Sequence, residues 1–97
     1  MKLNYSQPLV TLSGDNYTDD KGQPLTLLGA ITMVCSAAVP GDEALDALAK
    51  YKIGEIAIVA YKGLDLTSEQ VAEVKKRVAK VFASPVLVYL AYQALEG

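Results

Sequence analysis

The chain reads as a mainly α protein, a compact bundle of about four helices preceded by a short extended arm or β-hairpin. Three observations predict this. Residues 22–41 carry no charge at all. Thr67-Ser68-Glu69-Gln70 has the spacing of a capping box, a helix start written into four consecutive residues. Two further segments, residues 43–62 and 86–95, repeat apolar side chains at helical rather than strand spacing.

Residues 1–24 are expected to form the arm and residues 25–97 the bundle. In Met1–Leu12, Leu3 and Tyr5 flank Asn4, and Val10 and Leu12 flank Thr11, with Pro8 between the pairs weakening any regular strand. Ser13-Gly14-Asp15-Asn16 and Asp19-Asp20-Lys21-Gly22 are turn chemistry, and Tyr17-Thr18 between them suits a short returning segment. Asp15, Asp19 and Asp20 do not match a calcium loop, because Tyr17 and Asp20 occupy places that need an oxygen ligand and a glycine. No internal repeat or low-complexity run is apparent.

Leu25–Val39 is predicted to be a buried helix capped by Thr26, with Leu27, Ala30, Ile31, Val34 and Ala38 on one face and the small Gly29, Thr32 and Ser36 opposite. Its apolar run covers roughly 20 Å, against the ~30 Å of a bilayer core, so no membrane span is expected. A signal peptide is not expected either, since the acidic arm precedes the run. Val39-Pro40-Gly41 stops this helix, and Asp42 is the expected cap of a second one over Glu43–Lys62. There Leu45, Leu48, Ala49, Ile53, Ile56, Val59 and Ala60 form an apolar stripe, and Lys52 within it must reach outward. Ile56–Tyr61 (IAIVAY) is β-branched enough to suit a buried strand, while the long stripe favours helix. In the helical reading Tyr51, Ile58 and Tyr61 lie off the stripe as candidate interface residues.

The third helix follows Thr67, with Leu66 and Val71 as a hydrophobic staple and Val71, Val74, Val78, Val81 and Phe82 toward the core. Glu73 stands four residues before Arg77, the spacing of a helical ion pair. Lys75, Lys76, Arg77 and Lys80, four of the nine basic residues, form its expected outer face. They are either a solvated face near a helix C-terminus or a contact for phosphate or an acidic partner. Ser84-Pro85 restarts the chain as a last helix, with Pro85 at the first helical position. Leu87, Leu90, Ala91, Ala94 and Leu95 share one side. Val88, Tyr89 and Tyr92 fall elsewhere, either as an aromatic contact patch or beneath the N-terminal arm.

Composition narrows function. The chain has no histidine, which removes the commonest general base near neutral pH, and it has no phosphate-binding glycine loop or metal-ligand cluster. Catalysis, cofactors and metals are therefore not expected. Cys35 lies alone in the apolar helix, where it serves as a small hydrophobe compatible with a reducing cytoplasm. The net charge of −2 argues against a general nucleic-acid binder. Hydrophobic residues make up 52% before glycine is counted, against about 45–50% with glycine in ordinary soluble domains, and self-association is the simplest outlet for the excess.

The opening MKL with PLVTLSGD (8–15), then DDKGQPLTLLGAI (19–31), LDLTSEQVAEVKKRVAK (64–80) and SPVLVYLAYQALEG (84–97), resembles in order and spacing a family of small accessory proteins encoded by tailed bacteriophages and prophages. The resemblance implies an accessory role in the host cytoplasm and carries no catalytic or binding residue. The expected function is a non-enzymatic protein–protein interaction module, a homo-oligomer that acts by binding a phage or host protein. The competing expectation is a small nucleic-acid-binding regulator using the basic face of helix 67–82.

Overall fold

The computed structural model describes residues 3–18, 21–37 and 39–96. The expectations placed on Met1, Asp19, Asp20 and Ala38 lie outside these. Four helices follow the arm: α1 (Leu27–Ser36), α2 (Ala47–Tyr61), α3 (Ser68–Val81) and α4 (Pro85–Leu95), with a 3₁₀ turn at Asp42–Ala44 before α2. The protein is thus mainly helical, and the IAIVAY segment is helix. Among the described residues no helix is long and apolar enough to cross a membrane.

α1 is the centre of the bundle and packs against α2, α3 and α4. Leu27, Ala30, Ile31 and Val34 are buried, as the 3.6-residue spacing predicts. They meet Ile56 and Ala60 from α2, Val74 and Val78 from α3, and Ala91, Ala94 and Leu95 from α4. An uncharged helix in this position cannot satisfy its own ends, since its first N–H and last C=O groups have no intrahelical partner. The arm supplies the N-terminal end: the Leu27 and Leu28 amides donate to the Gln7 and Tyr5 carbonyls at 3.0 and 2.9 Å. The Gly29 amide donates to the Thr26 hydroxyl at 3.1 Å, the predicted cap.

The arm is a closed ring of three segments rather than a two-stranded hairpin. Leu9 N–H donates to the Leu25 carbonyl (2.9 Å), Leu25 N–H to Tyr17 (2.6 Å), and Tyr17 N–H to Leu9 (2.8 Å). Antiparallel bridges Pro8 with Thr26, Val10 with Asn16 and Thr18 with Pro24 complete it. The ring exposes a repeat that the sequence reading missed. Leu9, Tyr17 and Leu25 recur every eight residues, with Gly14 and Gly22 at equivalent turns and both at positive φ, 94° and 80°. Leu9 and Leu25 are buried and Tyr17 packs against the same core. Tyr5 ties the arm to the α2–α3 connection through its hydroxyl, which donates to the Leu64 carbonyl at 2.6 Å.

The capping box of α3 is present in both directions. Gln70 N–H donates to the Thr67 hydroxyl (3.1 Å) and Thr67 N–H to the Gln70 side-chain oxygen (2.9 Å). Thr67→Ala should cost about 1 kcal/mol in urea unfolding, the usual worth of such a cap. The cap of α2 is a correction. Asp46, not Asp42, accepts from the Ala49 amide at 2.8 Å, because the chain makes a 3₁₀ turn at Asp42–Ala44 and restarts as helix at Ala47.

Candidate functional site

Asp42 and Arg77 form a joint between α1 and α3. The Arg77 guanidinium donates to both Asp42 carboxylate oxygens at 2.9 Å, a two-pronged pairing that suits the planar fork of arginine. Its Nε donates to the Val34 carbonyl at 2.6 Å and Nη2 to the Ala37 carbonyl at 3.0 Å. These carbonyls lie at the C-terminal end of α1, so one side chain satisfies the end that α1 cannot satisfy itself. The Val39 amide donates to Asp42 at 2.8 Å and holds the carboxylate in place. The Arg77 bond and, after it, the Val39 amide lower the Asp42 pKa from 3.8 to about 2.

The basic quartet predicted for the outside of α3 is therefore divided. Arg77 is only 4% exposed and is committed to Asp42 rather than to Glu73. Lys75 is half-buried, pairs with Glu96 at 3.0 Å and sits 5.5 Å above the Tyr92 ring. Lys76 and Lys80 alone remain as exposed cations of that group. They stand on one wall of a cleft of about 480 Å³ between α2 and α3, floored by Ile53 and Ile56. Glu55, Glu69 and Glu73 line the same cleft, so its charge has no single sign.

The aromatic patch predicted on α4 is also divided. The Tyr92 hydroxyl donates to the Lys75 carbonyl at 2.9 Å, and Tyr92 and Val88 pack against the core. α3 thus engages Tyr92. Tyr89 stays 62% exposed. Cys35 is half-buried, and burial raises its thiol pKa to about 11, far from the thiolate range of reactive cysteines. Among the described residues no group of three or more acidic, cysteine or histidine side chains is placed to hold a metal ion.

What remains is the outer face of α2. Tyr51, Ile58 and Tyr61 are 68, 54 and 78% exposed. Leu48 joins them at 61%, a correction to its predicted place in the core stripe. The buried residues of α2, Ile53, Ile56 and Ala60, occupy the other side of the helix, so α2 is apolar on two faces and the bundle covers one. The exposed charges of α2, Lys50, Lys52 and Glu55, flank these four side chains. The sequence signal for this face was the set of large side chains left over once the core stripe was drawn; Leu48 was missed because it stands at the rim of that stripe, turned away from the side on which Ile53 and Ala60 are buried. In comparisons with protein-family models, with curated proteins and with solved structures, no match was found.

Proposed function

We propose that the chain is a non-enzymatic protein–protein interaction module whose docking face is the outer side of α2. One observation carries the reading: Leu48, Tyr51, Ile58 and Tyr61 expose most of their side chains on a single helix while its core face is already filled. Large exposed apolar residues that gather on one face mark contact sites. Tyrosine in particular supplies much of the binding energy at interfaces. In this proposal the module works in a cytoplasm as a phage or prophage accessory protein, the setting its sequence resemblance implies, and acts by occupying or bridging a surface.

A photo-cross-linking amino acid placed at position 58 tests the face directly, with position 93, an exposed glutamine on α4, as the control. In cells producing the chain, position 58 should give a discrete adduct and position 93 none. Adducts from neither position, or equally from both, would overturn the reading.

A further inference from the structure

The cleft between α2 and α3 carries both signs of charge, and the two signs are sorted along it. Glu69, Glu73, Lys76 and Lys80 stand at i, i+4, i+7 and i+11, so they form one stripe along α3, and all four line the cleft. The stripe is acidic toward the start of the helix and basic toward its end. α2 runs back along the other wall: the short connection 62–67 joins its end to the start of α3, and Leu45, just before α2, lines the cleft together with Lys80. On that wall Lys52 precedes Glu55, which places the cation toward the Lys80 end and the carboxylate toward the Glu69 end. The order on α3 also suits that helix's own macrodipole. The order on α2 has no such origin, because Lys52 and Glu55 sit in mid-helix and a lysine ahead of a glutamate is the less favourable arrangement there. Two walls therefore agree on one polarity, and only one of them has an internal reason for it.

None of these six charged side chains takes part in the Arg77–Asp42 or Lys75–Glu96 pair. Between them the floor is apolar, made by Ile53 and Ile56. We infer that the cleft takes an amphipathic helix of a partner protein, acidic in its first turn and basic in its last, laid antiparallel to α3. In that direction its acidic start meets Lys52, Lys76 and Lys80, and its basic end meets Glu55, Glu69 and Glu73. Its dipole then opposes that of α3, positive end beside negative end.

The dimensions suit this occupant. From Glu69 to Lys80 the stripe runs roughly 16 Å at 1.5 Å per residue, or about three turns of a partner helix. Apolar side chains at i, i+3 or i+4 and i+7 of that helix reach down to Ile53 and Ile56. The volume of about 480 Å³ holds those side chains while the partner's backbone rides on the charged rim. An extended peptide fits less well, because both walls are helices whose interior backbone groups are already bonded and present no strand edge. A small zwitterion would need rigid, buried donors, whereas five of these six charges are on exposed side chains and Glu73 is half-buried. The cleft lies on the α3 side of α2, so the inference stands apart from the docking face proposed above.

Two synthetic peptides of about fourteen residues test it. One carries glutamates in its first turn, lysines in its last and leucines at i, i+3, i+4 and i+7; the other has the glutamates and lysines exchanged. A lactam bridge on the solvent side holds each helical, since free peptides of this length are marginal helices. Titrated into the isotope-labelled chain, the acid-first peptide should shift the Ile53 and Ile56 amide resonances. It should bind about tenfold more tightly than the base-first peptide, and the difference should shrink as salt is raised. Reversing the stripe with Glu69→Lys, Glu73→Lys, Lys76→Glu and Lys80→Glu should invert the preference. Lys52→Glu with Glu55→Lys, both at exposed positions of the other wall, should reduce it about threefold and decides the matter if the stripe variant does not fold. Equal binding of the two peptides, a preference that the folded variants leave unchanged, or shifts confined to the outer face of α2 would overturn the inference. So would the absence of binding by either peptide up to about 1 mM. A chain that dimerises through this cleft and resists displacement by the acid-first peptide would make a second copy the occupant, and would overturn it as well.

Discussion

Arg77→Ala should destabilise the fold by about 3 kcal/mol, the lower end of what is lost when one member of a buried ion pair is removed. The lower end applies because Asp42 keeps some access to water. The loss arises mainly at α1. Without the guanidinium, the Val34 and Ala37 carbonyls lose their side-chain donor at the end of a buried helix. For a chain of this length the midpoint of thermal unfolding should fall by on the order of 15 °C. Arg77→Lys should recover little of it, because an ammonium cannot present the planar fork that reaches two carbonyls and both Asp42 oxygens together. Acid should reveal the same joint. Asp42 binds its proton more weakly in the folded protein, with a pKa of about 2, than at its ordinary value of 3.8. Its contribution is therefore complete above the ordinary value and is lost as pH falls toward about 2. Urea unfolding of wild type and Asp42→Asn should differ clearly at neutral pH and converge in acid. A gap that stays constant would mean that the carboxylate charge contributes nothing to stability.

Ile31→Ala should cost about 4 kcal/mol in the same measurement, while Ile58→Ala should change stability by no more than about 0.5 kcal/mol. The two side chains are chemically identical and both lie on helices. Ile31 has no exposure and lies on α1, which packs against α2, α3 and α4, so truncation removes buried surface and leaves a cavity that rigid neighbours on several sides cannot close. Ile58 already meets water. Comparable losses at both positions would mean that the outer face of α2 is covered within the monomer, and the docking face would have to be abandoned.

The parts legible in the sequence were those decided within a few residues. Thr67 and Gln70 satisfy each other across one turn, and Ser84-Pro85 needs only local backbone geometry to start α4, so both starts follow from composition and spacing. The burial of α1 was legible for a related reason: fifteen residues without charge leave few other places for the segment. Asp42 shows where local reasoning stops. It has the chemistry of a helix cap, but a guanidinium 35 residues away claims it, and no periodicity announces that meeting. The same cause misplaced Arg77, whose long stem allows it to turn inward from a face otherwise charged, and Tyr92, whose hydroxyl finds a carbonyl on α3. The eight-residue repeat of the arm was concealed differently. Gln7-Pro8-Leu9 and Gln23-Pro24-Leu25 match, but the middle copy, Asp15-Asn16-Tyr17, preserves only the spacing.

That ring changes how the arm must come apart. A hairpin frays from its open ends, losing hydrogen bonds one after another, whereas here the withdrawal of any one segment breaks two of the three central bonds at once. The Leu9, Tyr17 and Leu25 amides should then exchange with solvent deuterium at a common rate, as one opening unit. The first residues to leave would also take the Tyr5 and Gln7 carbonyls away from the start of α1, so release of the arm and loosening of the central helix become a single event.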